Sequence, residues 1–373
     1  MCGNGRSLLE PLWNMHWSSF EQVSGPSNVY AIDNFNITTT VKNTGDEVVR
    51  LLNHPRGPLS DLPTDSFTIT NRHGLSPDFV GISAKYSPSA ALASNDHHAF
   101  TVLAPGQSVE VHHDIWAAYD FSASGPGQYI VSMKDFNSLY YVADAKPRAV
   151  IGASGPPFHI INVGGDARPY KDRADAHDGG YCKDWQDRAI VTAISLAEKY
   201  VDHAVEVLEK SGPNSASYKR WFGPMLHSDR HASVVSHFAT LARSDFSKYT
   251  YRCNARFCGN RPGVLGYITP NEFGTITLCD SVFNAEVGGY NSRASTIVHQ
   301  ALQIAKHGDT DGHTSGEVFA QHLARAYPYR ATTNTENYEY FAVSAFGDGD
   351  GVGQSDASVM LTQVHFGKNI LDL

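Results

Sequence analysis

Histidines and carboxylates are the side chains best suited to chemistry in this sequence, and the densest group lies towards its C-terminal end. His299 is followed by His307, Asp309, Asp311, His313 and Glu317. This set offers nitrogen and oxygen ligands, of which three would have to converge tetrahedrally to hold a catalytic zinc. The run Asp309-Thr310-Asp311-Gly312 with Glu317 carries the oxygen donors calcium takes but lacks the full twelve-residue ligand pattern, so a solvated loop is expected. Gly347-Asp348-Gly349-Asp350-Gly351 is similar, and its glycines point to flexibility. His97-His98 and His112-His113 sit in strand-like surroundings, where adjacent side chains face opposite ways, so neither pair is expected to chelate.

Five cysteines complete the reactive inventory. Cys2 stands apart, while Cys182, Cys253, Cys258 and Cys279 fall in one region and suffice for two bridges. Bridged cysteines suggest an oxidising, secretory setting. The opening MCGNGRSLLEPLW argues the other way, because Glu10 and Pro11 cut the apolar run to Leu8-Leu9, too short for a signal-peptide core. The leader therefore suggests the cytoplasm and the cysteines secretion. Trp13, Trp17 and Phe20 lack neighbouring basic residues and are expected to pack on a domain rather than on a membrane. Asn36-Ile37-Thr38 matches a glycosylation sequon inside a predicted strand.

These residues need elements to position them. The chain has 373 residues, 41% hydrophobic and 18% charged, enough for two ordinary globular cores. A net charge of −9 without a basic run excludes nucleic acid as a partner, and no apolar stretch approaches a membrane span. Oligomeric state is left open. Phe35, Ile37, Thr39 and Val41 alternate onto one face before the turn residues Asn43-Thr44-Gly45-Asp46, the pattern of a half-buried strand. Similar segments recur at 48–52, 67–70, 80–86, 100–103, 109–111 and 129–133, predicting an antiparallel β-sandwich over 25–145 behind an N-terminal segment 1–24. Residues 146–178 are rich in Gly, Pro and Asp and read as a linker. Ile190, Ile194, Ala197, Val201, Val205 and Leu208 then follow helical steps up to Ser211-Gly212-Pro213. Further helices are predicted at 232–242, 294–306 and 316–326, with β-like stretches at 265–269 and 275–278. The fold class is α+β: a sandwich, then a mainly helical domain over 179–344, then a tail 345–373.

The second half resembles the deuterolysin, or aspzincin, family of fungal zinc metalloendopeptidases, and within it the peptidyl-Lys metalloendopeptidase precursors. The likeness runs through YVDHAVEVLEKSGPNSASYKRWFG, YRCNARFCGN, ITLCDSVFNAE, NSRASTIVH and NTENYEYFA. VKNTGDEVVRLLNHPRGPLSDLPTDSF and FTVLAPGQSVEVHHD in the first half look like the pro-region of those precursors. The resemblance implies a zincin-like second domain, a pro-region-like first one, disulfides Cys182–Cys253 and Cys258–Cys279, and a free Cys2. No dibasic run marks cleavage between the halves, although Arg168, Lys171 and Arg173 lie in the linker.

The same resemblance exposes what is missing. A zincin's H-E-x-x-H presents two imidazoles from one helical face, with Glu as general base. Here the motif reads His299-Gln300-Ala301-Leu302-Gln303. A gap-free alignment places Gly312 over the family's Asp ligand and Ser315 over its Tyr. The Gln300 amide cannot take a proton from water, a loss of ~10²–10⁴-fold, and Gln303 offers only a neutral carbonyl oxygen. No catalytic residue and no resident metal are therefore expected; zinc returns only if His299 is joined by rebuilt ligands, and calcium is a weaker option. The resulting expectation is a pseudopeptidase that binds peptide or carbohydrate, of lectin-like or defence type. A zinc metalloendopeptidase with non-standard ligands and a storage protein are the alternatives.

Overall fold

The alternation at 35–41 becomes β3 (Asn36–Asn43), which buries Ile37, Thr39 and Val41 and turns the residues between them outward. The computed structural model describes residues 19–30, 35–134, 139–143, 146–149, 158–164, 180–224, 228–305, 312 and 314–350. β3 is the middle of an antiparallel sheet between β1 (Ser19–Ser24) and β9 (Ser108–Asp114). A second sheet runs β2 (Asn28–Val29), β14 (Phe158–Val163), β11 (Gly127–Met133), β5 (Phe67–Asn71), antiparallel except for β2 beside β14. Their inner faces share one core, in which Val23 and Ile37 meet Phe67, Tyr129, Val131 and Ile161, together with Ile115 of α2 (Ile115–Ala118). A third antiparallel sheet runs β13 (Lys146–Ala149), β12 (Tyr140–Ala143), β4 (Val49–Leu52), β8 (Phe100–Leu103).

Two expected boundaries shift. β1 pairs with β3 along its whole length, so part of the segment set apart as 1–24 belongs to a sheet. β13 and β14 fall in the stretch read as a linker, and β14 buries Ile161 and Val163 between two neighbours. The alternation of Phe158-His159-Ile160-Ile161-Asn162-Val163 is short, and the glycines and prolines around it masked it. Trp13, Trp17, Arg168, Lys171 and Arg173 lie outside the described residues.

The segment 80–86, expected as one sandwich strand, divides at Gly81. There an added Cβ would stand 1.9 Å from the Pro63 carbonyl oxygen, so only glycine fits. Before it, β6 (Asp78–Phe79) pairs with β10 (Tyr119–Asp120). After it, β7 (Ser83–Tyr86) leaves the N-terminal sheets and joins a sheet of the C-terminal half, in the order β15 (Thr250–Cys253), β17 (Thr275–Leu278), β16 (Val264–Ile268), β7. β7 runs antiparallel to β16 with an irregularity between Val264 and Gly266. α1 (Pro88–Ala93) follows at once, capped by Ser87. Ile82, Tyr86, Ala91 and Tyr140 from one half and Ala255, Val264, Tyr267 and Cys279 from the other form a single buried cluster.

The long helix predicted from Ile190 is α3 (Asp184–Lys210); Gln186 accepts from the Lys183 backbone N–H at its start, and it buries Ile190, Ile194, Ala197, Val201 and Leu208. α4 (Ala216–Phe222), α5 (Ser228–Leu241), α6 (Asp280–Phe283), α7 (Arg293–Ala305), α8 (Glu317–Ala326), α9 (Pro328–Ala331) and α10 (Thr335–Asp350) follow. α10 continues through Asp350, so the tail expected from 345 begins as helix. Cys182–Cys253 ties the entry of α3 to β15, and Cys258–Cys279 ties the following loop to the end of β17. Among the described residues no helix is long and apolar enough to cross a membrane.

Candidate functional site

α7 starts with a reciprocal serine cap, in which the Ser292 Oγ accepts from the Ser295 N–H and the Ser295 Oγ from the Ser292 N–H. Ala294, Ile297, Val298, Ala301 and Leu302 lock it into the helical core. His299 and Gln303 are one turn apart on this helix. α10 supplies Glu336 and Glu339, three residues apart and therefore on one face. Both carboxylates are buried, as are His299 and Gln300.

The third contributor is Lys85 on β7, wholly buried. Its Nζ lies 2.9 Å from Glu336 Oε1 and 2.7 Å from Glu339 Oε2, and 5.1 Å from the centroid of the Tyr340 ring. Glu336 Oε2 also accepts from the Gly316 backbone N–H at 2.6 Å and from the Tyr340 hydroxyl at 3.2 Å. His299 Nδ1 lies 3.0 Å from Glu339 Oε2. A carboxylate can only accept, so Nδ1 carries the proton and Nε2 presents a lone pair.

Charge follows from this packing. Burial alone would lower the Lys85 pKa, but Glu336 and Glu339 outweigh it and hold the ammonium above the usual lysine value. Burial would raise Glu339, and the Lys85 charge with the His299 hydrogen bond pulls it below the usual carboxylate value. His299 is lowered by burial, with Glu339 opposing and the Lys85 charge assisting, so its ring is neutral. The Lys85 ammonium is thus balanced by the Glu339 carboxylate beside a neutral imidazole.

Ligand atoms of His299, Glu336 and Glu339 lie within 4.8 Å of one another, a spacing a metal could bridge. With Lys85 in place they do not fit a catalytic zinc, because the ammonium engages both carboxylates and would repel a dication. Gln303 cannot replace the second imidazole. Both Gln300 amide atoms, Gln303 Oε1 and Glu339 Oε1 are buried without a hydrogen-bond partner in the protein. Gln300 thus adds polar burial without adding a base. The exposed trio Asp96, His97 and His98 also has metal-compatible spacing, but Asp96 Oδ1 already accepts from the His98 backbone and lies 2.8 Å from His98 Nδ1.

Two more residues of the N-terminal half reach the segment around Gly312 and Ser315. An added Cβ at Gly312 would stand 2.6 Å from Arg56 Nη1, so that guanidinium fills the space beside the position aligned with the Asp ligand. Ser315, aligned with the Tyr, is buried 3.0 Å from His54 Nε2. His54 Nδ1 accepts from the Arg56 backbone N–H at 3.1 Å, so Nε2–H donates to the serine. The His54 ring stacks 5.1 Å from Tyr140 and meets Tyr86 edge-on at 4.9 Å. Burial, with Arg56 nearby, drives its pKa down to about 3.

Of the positions singled out in the sequence, His299 joins the cluster of Glu339 and Lys85, Gly312 and Ser315 meet Arg56 and His54 of the N-terminal half, Gln300 and Gln303 stay on α7, and Glu317 turns away to pair with Arg220 at 3.3 Å. His307, Asp309, Asp311 and His313 lie outside the described residues. Sequence reasoning missed Lys85, Glu336, Glu339, His54 and Arg56. The two glutamates carried a usable signal, Glu339 lying inside the aromatic run Tyr338, Tyr340, Phe341 and Glu336 one turn before it. Lys85 carried none.

Residues 207–343 match the family described as lysine-specific metallo-endopeptidase. The chain is 36% identical over 326 residues to the peptidyl-Lys metalloendopeptidase of Grifola frondosa, covering 86% of this chain and 91% of that protein. It is 32% identical over 326 residues to the Armillaria mellea protein of the same name, covering 86% and 90%. An extracellular protease of Aeromonas hydrophila is 27% identical over 319 residues, covering 83% and 88%. A solved zinc peptidase from Grifola frondosa is 30% identical, with a TM-score of 0.41, covering 45% of this chain and 99% of that one.

Proposed function

The chain belongs to the lysine-specific metallo-endopeptidase family, the aspzincins, and from that premise we propose that it is a non-hydrolysing member whose cleft binds lysine-bearing peptides. One observation carries the reading: a lysine ammonium sits buried between Glu336 and Glu339 while Gln300 and Gln303 occupy the base and ligand positions. Two carboxylates on one helical face are suited to an ammonium, and an amide at 300 leaves water unactivated. Peptide is favoured over carbohydrate because the occupant is itself a side chain presented from an extended strand; nothing in the site speaks for a lectin-like, defence or storage role. In this reading the N-terminal sheets, from β1 to β14, act as the pro-region-like part and α3 to α10 as the peptidase-like part. Secretion is the compartment that the disulfides and the extracellular relative favour.

A metalloendopeptidase with non-standard ligands is the second reading. It is favoured by the names of the relatives and by the spacing of His299, Glu336 and Glu339. One experiment separates the two. The intact chain is incubated with casein and lysine-containing peptides in excess zinc, and bound and cleaved peptide are both measured. The expected outcome is retention of lysine peptides over their methionine counterparts, with every peptide recovered whole. Chelator-sensitive cleavage that tracks the purified chain overturns the proposal in favour of the second reading.

A further inference from the structure

We propose that Lys85 is a built-in occupant of the lysine-binding pair, so that the chain is self-occupied and an outside lysine enters only when β7 withdraws. The inference rests on the binding reading above and concerns the regulation of that same site. β7 comes from outside the half that supplies the rest of its sheet. It arrives from the N-terminal half, 251 residues before its partner Glu336, and adds antiparallel to β16 as an edge strand, with Ser83 opposite Ile268 and Ala84 opposite Tyr267. That is how an extended peptide docks on an exposed strand, with main-chain pairing for affinity and one side chain for recognition. The side chain delivered is an ammonium, placed 2.9 and 2.7 Å from two buried carboxylates.

The neighbours of β7 hold it there. Tyr86 is buried against Val264 and Tyr267 in the core shared by the two halves, and His54, 4.9 Å from the Tyr86 ring, bonds to Ser315. Release of Lys85 would therefore strip the paired strand and leave two buried carboxylates without their cation, an unfavourable state until another cation arrives. A free lysine side chain that reaches the pair competes with a covalently tethered one, whose effective concentration is high. The site thus responds to ligands that can also replace β7 along β16.

Two measurements test this. In the intact chain, reductive methylation with formaldehyde and cyanoborohydride is followed residue by residue by mass spectrometry. Lys85 should label at less than about a tenth of the rate of Lys248, whose side chain is 81% exposed; comparable rates overturn self-occupancy without any variant. The second measurement uses Lys85→Ala, which leaves a lysine-shaped space beside Glu336 and Glu339. Butylammonium should raise the melting temperature of the variant and leave the parent unchanged, and a synthetic peptide copying residues 81–88 should bind the variant about tenfold or more tightly than the parent. A folded variant that ignores butylammonium overturns the proposal. Equal peptide binding by variant and parent also overturns it while leaving the binding reading intact. Butylammonium rescue without peptide binding by either protein keeps self-occupancy and removes the binding reading. If the variant fails to fold, the methylation rates of the intact chain decide alone.

Discussion

At the scale of single residues, the site is a buried ion cluster whose members depend on one another. Glu339→Gln removes the charge of one of the two carboxylates facing Lys85 and leaves His299 only a neutral acceptor, and should lower stability by about 3–5 kcal/mol, measured as the urea midpoint at pH 7. The raised Lys85 pKa contributes stability that is complete below the unfolded lysine value near ~10.4 and is lost as pH climbs through the folded value. The depressed Glu339 pKa contributes stability that is complete above ~4.3 and is lost as pH falls through its folded value. His54 adds a separate acid limb. Its folded pKa of about 3 lies below the unfolded value of 6.5, so the unfolded chain takes up the proton first and stability falls from about pH 6.5 downward. Between pH 7.5 and 5 this amounts to about 2 kcal/mol, and His54→Phe should remove that much of the pH dependence in urea titrations at the two values. The positions of His299, Gln300 and Gln303 were legible in the sequence because a helical motif is local. Lys85 was not, because its meaning arises only where β7 meets α10.

Elements differ in how plainly the sequence announces them. α3 has a clean apolar stripe and is read directly from its period. α10 escapes, because from Asn334 through Val343 every residue is buried, polar ones included, and burial all round leaves no stripe to detect. β7 was visible as strand character but assigned to the wrong sheet, since alternation says which side faces inward and nothing about which neighbour is paired. The helical core also carries covalent braces. Replacing Cys182 and Cys253 together by Ser frees a link spanning 71 residues of sequence and should cost about 2–4 kcal/mol, read from urea unfolding of the variant against the parent. A loss well under 1 kcal/mol would show that packing of α3 against α7 and α10 is sufficient alone.

At the scale of the whole molecule, the two halves share one buried cluster and one sheet. His54, Arg56 and Lys85 of the first half all reach into the second, at Ser315, Gly312 and the acidic pair. A specific protease site placed within 165–179 and then cut should therefore leave the halves together. Size-exclusion chromatography of the nicked chain is expected to give a single peak containing both fragments, and separation without denaturant would refute the shared core as a lasting junction. The sequence indicated two halves of different periodicity and a region between them. It did not indicate that the boundary is crossed, because a strand exchanged between halves keeps the same local pattern wherever it pairs.

The Arg56 side chain beside Gly312 makes this architecture resist repair at a single position. A carboxylate restored at 312 by mutation would first encounter a guanidinium 2.6 Å from its own Cβ and would be claimed by it as a salt bridge before any metal could compete. An acid added at 312 is thus neutralised by a residue hundreds of positions away, and a free ligand there requires a change at Arg56 as well. The neighbouring half acts as a lock on that position, because its guanidinium already fills the space a longer side chain would need.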